Sequence, residues 1–287
     1  MSATTTPLRV TVPRRTAGSE LRAIRIVWRR ELLRFRNDRM RMLVSLVQPL
    51  LFLFVLGSGL QQLSSASTHG VDLKTFIYPG ILALSVMFTA MFSAGSIVWD
   101  REFGFLREML VAPVRRTALV VGKCLGGATV ATFQGCMVLA LAGLVGVPYD
   151  PVMLLELFGI LLLTSFSLTA FGVMIASRME QVESFQMIMQ FTVLPMFFLS
   201  GAVFPLTRLP PWLRVLTRLD PLSYAVEPLR RSVIHALPAA GAATLSKLDP
   251  GITWGGWHVP VGVCLAVVAA FGLVSLVAAS IQFNRTE

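Results

Sequence analysis

An all-α integral membrane fold follows from three features of the sequence. The chain is 55% hydrophobic and only 14% charged, with a mean hydropathy of +0.71. A soluble domain of 287 residues needs far more polar surface to face water. Six apolar segments recur along it, each near the roughly 20 residues that a helical span requires. A basic amphipathic stretch precedes the first of them.

Residues 1–18 are rich in Thr, Pro and Arg and read as a disordered tail. Residues 19–287 read as one transmembrane domain. The first apolar run begins only near Met42, too late for the apolar core of a cleaved leader, so the N-terminus is expected in the mature chain. Ser19 can cap a helix running to about Asp38. On it Leu21, Ile24, Val27, Trp28, Leu32 and Phe35 gather on one side, with Arg22, Arg25, Arg29 and Arg36 beside them and Arg30 and Arg34 opposite. A basic amphipathic helix with a Trp is predicted to lie in the membrane interface.

The spans are predicted at about 42–62, 77–99, 118–146, 152–176, 185–205 and 259–282. The third is overlong, which implies tilt or a start outside the hydrocarbon. Val147-Pro-Tyr-Asp-Pro151 is a tight turn between spans three and four. Residues 206–258 form the one large hydrophilic connection. Within it Leu209-Pro-Pro-Trp212 opens a short helix that Asp220-Pro221 ends, with an apolar stripe of Trp212, Leu213, Leu216 and Leu219. A second helix is expected around Tyr224–Leu237. Together they make a re-entrant helical hairpin beside span five.

Orientation follows from the Lys/Arg distribution. With the N-terminus inside, 18 of the 25 Lys and Arg fall on the cytoplasmic side and 7 outside. Both termini are then cytoplasmic, in a multi-pass protein of the plasma (inner) membrane. The formal net charge of +10 is this bias, and nucleic acid is excluded as a partner.

Arg101–Arg116, between spans two and three, is more than a turn. Phe103, Leu106 and Leu110 recur at i, i+3 and i+7, which puts them on one helical face. Arg101, Glu102, Arg107 and Glu108 supply charge, and Pro113 stops the helix. A structured cytoplasmic segment of this kind presents a docking surface.

Catalytic chemistry is missing from the sequence. Gly122-Lys123 lacks the upstream glycine and the following Ser or Thr of a phosphate-binding loop. No catalytic constellation and no metal-ligand spacing appears. Cys124, Cys136 and Cys264 read as apolar packing residues, and His69, His235 and His258 are scattered. The clearest ionisable residue within a span is Glu156, near the outer end of span four. A milder polar set is Gln48, Gln134, Thr164, Ser165, Ser167, Thr169, Gln186 and Gln190. Met187, Met189, Met196, Phe191, Phe197 and Phe198 surround the last pair. Soft Met and Phe surfaces suit an amphiphilic substrate. Gly122-x-x-x-Gly126 is a small-residue packing motif.

Arg101-Glu-Phe-Gly104 with Glu108-Met-Leu-Val-Ala-Pro113 resembles the cytoplasmic signature of type-2 ATP-binding-cassette exporter permeases. Leu199-Ser-Gly-Ala-Val-Phe-Pro205, Leu209-Pro-Pro-Trp212 and Asp220-Pro-Leu-Ser-Tyr-Ala225 resemble their outer re-entrant region. The drug-resistance, daunorubicin-type branch is most similar. Phe105 stands where a small hydroxyl residue is common. The resemblance runs from about residue 20 to the end. It implies a homodimer, or a pair with a paralogue, embedded in lipid. Each permease would dock a separate cytoplasmic ATPase that holds ATP and Mg, leaving this chain without cofactor or catalytic residue of its own.

In that frame Glu102, Phe103, Gly104, Leu106, Arg107, Glu108, Leu110 and Pro113 form the coupling helix. Pro205, Trp212, Leu213, Leu216 and Pro221 close the outer end of the pathway. Gln48, Gln134, Gln186, Gln190, Phe191 and Met196 are candidates for the pathway itself. The competing readings are a secondary carrier or channel and a non-transport scaffold. The carrier lacks midplane charges and internal repeats, and no added soluble domain marks a scaffold.

Overall fold

The computed structural model describes residues 17–64, 73–105, 114–203, 210–238, 251–254 and 256–285. The order is α1 (Ala17–Asn37), α2 (Arg39–Ser64), α3 (Leu73–Ser93), α4 (Gly95–Glu102), α5 (Arg116–Leu139), α6 (Pro151–Ala176), α7 (Val182–Leu199), α8 (Pro211–Leu219), α9 (Pro221–Ala236), a two-stranded ribbon of β1 (Thr253–Trp254) and β2 (Trp257–His258), and α10 (Val261–Arg285). The fold is an all-α membrane bundle.

Five stretches are long and apolar enough to cross a membrane: Met42–Gly59, Lys74–Glu102, Pro151–Ala176, Val182–Leu199 and Val261–Asn284. The expected third span, α5, is not among them. Its glycines, Lys123 and Gln134 dilute its hydropathy, yet its 24 residues pack between α1, α3 and α6. It also ends earlier than predicted, at Leu139. The remaining residues form a 3-10 turn, Ala142–Val145, closed by Gly146 at φ +74°. Tyr149 pins this turn, its hydroxyl donating to the Ala140 carbonyl at 2.7 Å and accepting from the Gly143 amide at 3.0 Å. Asp150 then caps α6 through the Val152 amide, with Pro151 in the first turn.

α3 is the central helix, buried nearly all round from Phe76 to Met91, with α5, α6 and α9 against it. α10 lies along α6. Buried serines and threonines seat these neighbours. Thr169 meets Gly127 of α5, and Ser167 meets Gly272 of α10. They are therefore packing residues within the subunit, along with buried Thr164 and Ser165. The three cysteines are free thiols, with Cys124 and Cys264 buried. The outward faces of α2 (Val44, Val47, Leu51, Phe54), α7 (Met187, Phe191, Leu194) and α10 (Leu273, Val274, Val277) are apolar.

α8 and α9 form the expected hairpin, but α9 is no surface helix. It runs into the bundle against α3, α6 and α10. Arg230 donates to the Gly201 carbonyl at 2.6 Å and stacks over Phe76 at 4.6 Å. Glu227 pairs with Arg231 at 2.6 Å. Gly251, at φ +88°, lies so close to the Glu227 carboxylate that any side chain there would collide with it. Thr253 faces His258 and Trp254 faces Trp257 in the ribbon. The ribbon is tied to the hairpin by Arg218 donating to the Thr253 carbonyl at 2.7 Å and Trp254 donating to the Tyr224 hydroxyl at 3.1 Å.

Asp220 ends α8 and caps α9, accepting from the Leu222 amide and the Ser223 hydroxyl, each at 3.1 Å. Burial pushes its carboxyl up to about 7, against the opposing pull of those donors. A raised folded-state value means that the group's stabilisation is full below its ordinary value of 3.8 and is lost as pH rises through about 7. Thermal unfolding in lipid nanodiscs should therefore show a more stable chain at pH 5 than at pH 8. The loss should approach about 1.4 kcal/mol per pH unit between pH 5 and about 7 and level off above it. Asp220→Asn should flatten it, and an unchanged slope would refute the assignment.

Candidate functional site

The site grows from the last turn of α4. α3 and α4 are one apolar stretch bent at Ala94, where the Ala94 and Ile97 amides bond three residues back. The bend lets Phe185 of α7 lie against Gly95, where a Cβ would sit 2.8 Å from its ring. α4 ends on Gly104 at φ +81°, whose amide bonds the Arg101 carbonyl at 3.1 Å. This is a glycine helix stop. It takes Phe103 out of the predicted face, because a left-handed residue separates it from whatever helix follows. Leu106, Arg107, Glu108, Leu110 and Pro113 lie outside the described residues.

Four successive residues of that turn each bond a different part of the bundle. Trp99 lies under the Arg34 guanidinium of α1 at 4.6 Å. Asp100 accepts from Lys123 of α5 at 2.6 Å and pairs with Arg30 of α1. Arg101 donates to the Met179 carbonyl at 2.6 Å and to that of Ser177 at 3.2 Å, just past the end of α6. Glu102 accepts the Val182 amide at 2.9 Å, at the first residue of α7. The cation meets the carbonyl end of one helix and the anion meets the amide end of the next, as the helix dipoles favour.

Lys123 is the centre of a buried ionic cluster. Its Nζ lies 2.6 Å from Glu31 Oε1, 2.6 Å from Asp100 Oδ2 and 2.9 Å from Ser96 Oγ. All four residues are buried, while the Arg30 side chain is 40% exposed and can share its charge with water. The cluster is built by the docking of α1 along α5 in the same direction. Glu20 accepts the Arg115 amide at 3.2 Å. Trp28 donates to Thr129 at 3.0 Å. Phe35 meets Phe133 edge-on at 6.2 Å. Gly122 and Gly126 make the seat, where added Cβ atoms would stand 2.9 Å from Val27 and 2.7 Å from Glu31. The expected apolar side of α1 is thus rotated. Val27 and Glu31 are its buried centre, and Leu21 is 71% exposed.

Gly126→Leu should overpack this seat at a cost of about 1–3 kcal/mol and lift α1. Trp28 emission should then shift to the red. Gly159→Leu is the control, because nothing lies within 4 Å of a Cβ at that position. An unmoved Trp28 in Gly126→Leu would show that α1 is not seated there.

Beside the cluster is a cavity of about 450 Å³ between α1, α2, α3, α4 and α7. Its wall is aromatic (Phe35, Phe88, Phe92, Trp99, Phe185), with Glu31, Arg34 and Asp38 at one part and the amides of Gln48 and Gln186 at another. Of the sequence-predicted pathway residues, the structure brings Gln48 and Gln186 together here. Gln134 is buried within the bundle, donating to the Ser45 carbonyl at 2.9 Å and accepting from the Ser45 hydroxyl at 3.0 Å. Gln190 and Phe191 sit on the outward face of α7, and Met196 packs half-buried against the core.

At the far end Trp212 and Leu216 face outward on α8 and Leu213 is half-buried, so span five does not cover the stripe. Pro221 occupies the first turn of α9, and Pro205 lies outside the described residues. Glu156 is exposed near the start of α6. Glu31, Asp100 and Lys123 are buried charges that sequence reasoning missed, as are Glu227 and Arg230 of α9. The signal for the first three was Glu31 at helical spacing from Val27 and a lysine flanked by Gly122 and Gly126.

The ABC-2 type transporter family matches residues 22–234 of the chain. The inner membrane transport permease YadH of Escherichia coli (strain K12) is 26% identical over 209 residues, covering 72% of this chain and 81% of that protein. Nodulation protein J of Rhizobium leguminosarum bv. trifolii is 28% identical over 207 residues, covering 71% and 78%.

Proposed function

Because this chain belongs to the ABC-2 type transporter family, it is a membrane permease subunit of an ABC transporter, and we propose that it is the spanning half of an ATP-driven exporter. Its cargo is an amphiphile of the drug, lipid or glycolipid-like kind. A separate ATPase carries ATP and Mg, since this sequence has no phosphate-binding loop. A second permease, identical or paralogous, covers part of the outward apolar faces of α2 and α7, and lipid covers the rest. α5 is the third of six spans, added to the five apolar stretches.

The observation that carries this reading is the last turn of α4. The segment predicted to receive the ATPase follows directly in the chain on residues that bond α1, α5, the end of α6 and the start of α7. A push at that segment reaches those four elements. The cavity beside it supplies aromatic surface and amides for an amphiphile, facing the inner-leaflet side. The outward stripe of Trp212, Leu216 and Leu219 on α8 sits in the outer edge of the membrane and, with Pro205, Leu213 and Pro221, closes the exit.

Co-purification with its ATPase and hydrolysis stimulated by a panel of amphiphiles in lipid test this function. A chain that binds no ATPase would overturn it. Topology gives a second check, because both termini and the α6–α7 loop belong in the cytoplasm. In intact cells an impermeant thiol reagent should label Arg214→Cys and spare Arg178→Cys. The opposite pattern would invert the orientation.

A further inference from the structure

We infer that Glu31, Lys123 and Asp100 form a rigid joint that carries movement of the coupling segment into α1 and α5, with Lys123 as its positioning residue. The inference rests on the reading that ATP-driven movement enters at that segment. Asp100 lies just before the segment and Lys123 shortly after it, so the cluster closes the base of the loop from both sides. Glu31 adds α1 to the same lysine. The contacts are short, and the three side chains are almost wholly buried.

Burying charge is expensive, and well-packed apolar side chains often hold helices together as well or better. Stability alone therefore does not call for ions here, where α1 already has the glycine seat, the Trp28–Thr129 bond and the Phe35–Phe133 contact. What the ions add is direction. A lysine held between two carboxylates and a serine hydroxyl has one geometry, whereas apolar contacts slide. Arg34 over Trp99 and the wall of the cavity, which includes Glu31 and Ser96, lie against the same joint. A shift of Asp100 is thus felt where cargo would sit.

The experiment uses the full chain with its co-purified ATPase in vesicles of phosphatidylethanolamine and phosphatidylglycerol, and it needs no cargo. Spin labels at Gln48→Cys and Gln186→Cys, with the three native cysteines replaced by alanine, report the width of the cavity by pulsed EPR. The label distance should change between the nucleotide-free state and ATP with vanadate. In the neutral variant Glu31→Leu/Lys123→Met/Asp100→Asn, the melting temperature and ATPase affinity should equal or exceed those of the parent. The ATP-dependent distance change should fall at least tenfold in amplitude. The exchanged pair Glu31→Lys/Lys123→Glu should restore part of it. A neutral variant with the parent's full distance change would overturn the joint. A parent chain that binds no ATPase would instead overturn the coupling reading beneath it.

Discussion

Lys123→Met alone should be among the most damaging single substitutions in the chain. It leaves Glu31 and Asp100 together in the interior with, among the described residues, Arg30 to share. Removing one partner of a buried pair costs about 3–5 kcal/mol, a large part of the stability of a typical domain. The expected result is low yield after membrane extraction and a melting temperature far below that of the parent. Adding Glu31→Leu and Asp100→Asn should restore folding, because the cost lies in stranded charge and not in lost bonds. A well-folded single variant would mean that water reaches the cluster. The effect should also exceed that of losing the rim pair Arg115–Glu20, where the arginine is 72% exposed and the distance 3.9 Å.

The second large effect is on coupling. Leu106 and Leu110 recur at helical spacing in the segment that follows the last turn of α4. Apolar anchors in a central pocket dominate interface energetics over rim charges. Leu106→Asp/Leu110→Asp should release the ATPase or abolish cargo-stimulated hydrolysis, with membrane insertion intact. Size-exclusion co-elution with the ATPase and hydrolysis in vesicles measure both arms. Normal binding and stimulation in the double variant would remove this segment from the mechanism. Glu102→Gln should act differently. It weakens the cap on the Val182 amide, so it should loosen α7 more than ATPase affinity.

Helices were legible in the sequence wherever hydropathy alone forms them, as in α2, α3, α6, α7 and α10. The α8–α9 hairpin was legible from Pro210-Pro211 and Asp220-Pro221, which open and cap helices by fixed backbone rules. The bend at Ala94 was not, because it answers to Phe185 some ninety residues on. The ribbon was missed although Gly255-Gly256 between Thr253-Trp254 and Trp257-His258 is a short hairpin signal. The charged cluster was the largest omission. Neither Glu31 nor Asp100 was singled out, and Lys123 counted only toward the Lys/Arg bias. Pairing between residues 92 and 23 positions apart leaves no local periodicity. Of the functional site, Gly104 was placed within the coupling helix, whereas it stops α4. The turn that anchors this point to the bundle was not readable either, because each of its bonds depends on tertiary contacts.

The seat of α1 is synthesised long after α1 itself. Glu31 and Lys123 are 92 residues apart, so at about 5–20 residues per second the ribosome needs roughly 5–20 s to supply the partner. During that interval the nascent chain carries Glu31, and later Asp100, without Lys123, and Arg30 is the cation of the cluster already in place. α1 and the end of α4 therefore cannot complete their cluster until α5 has been made.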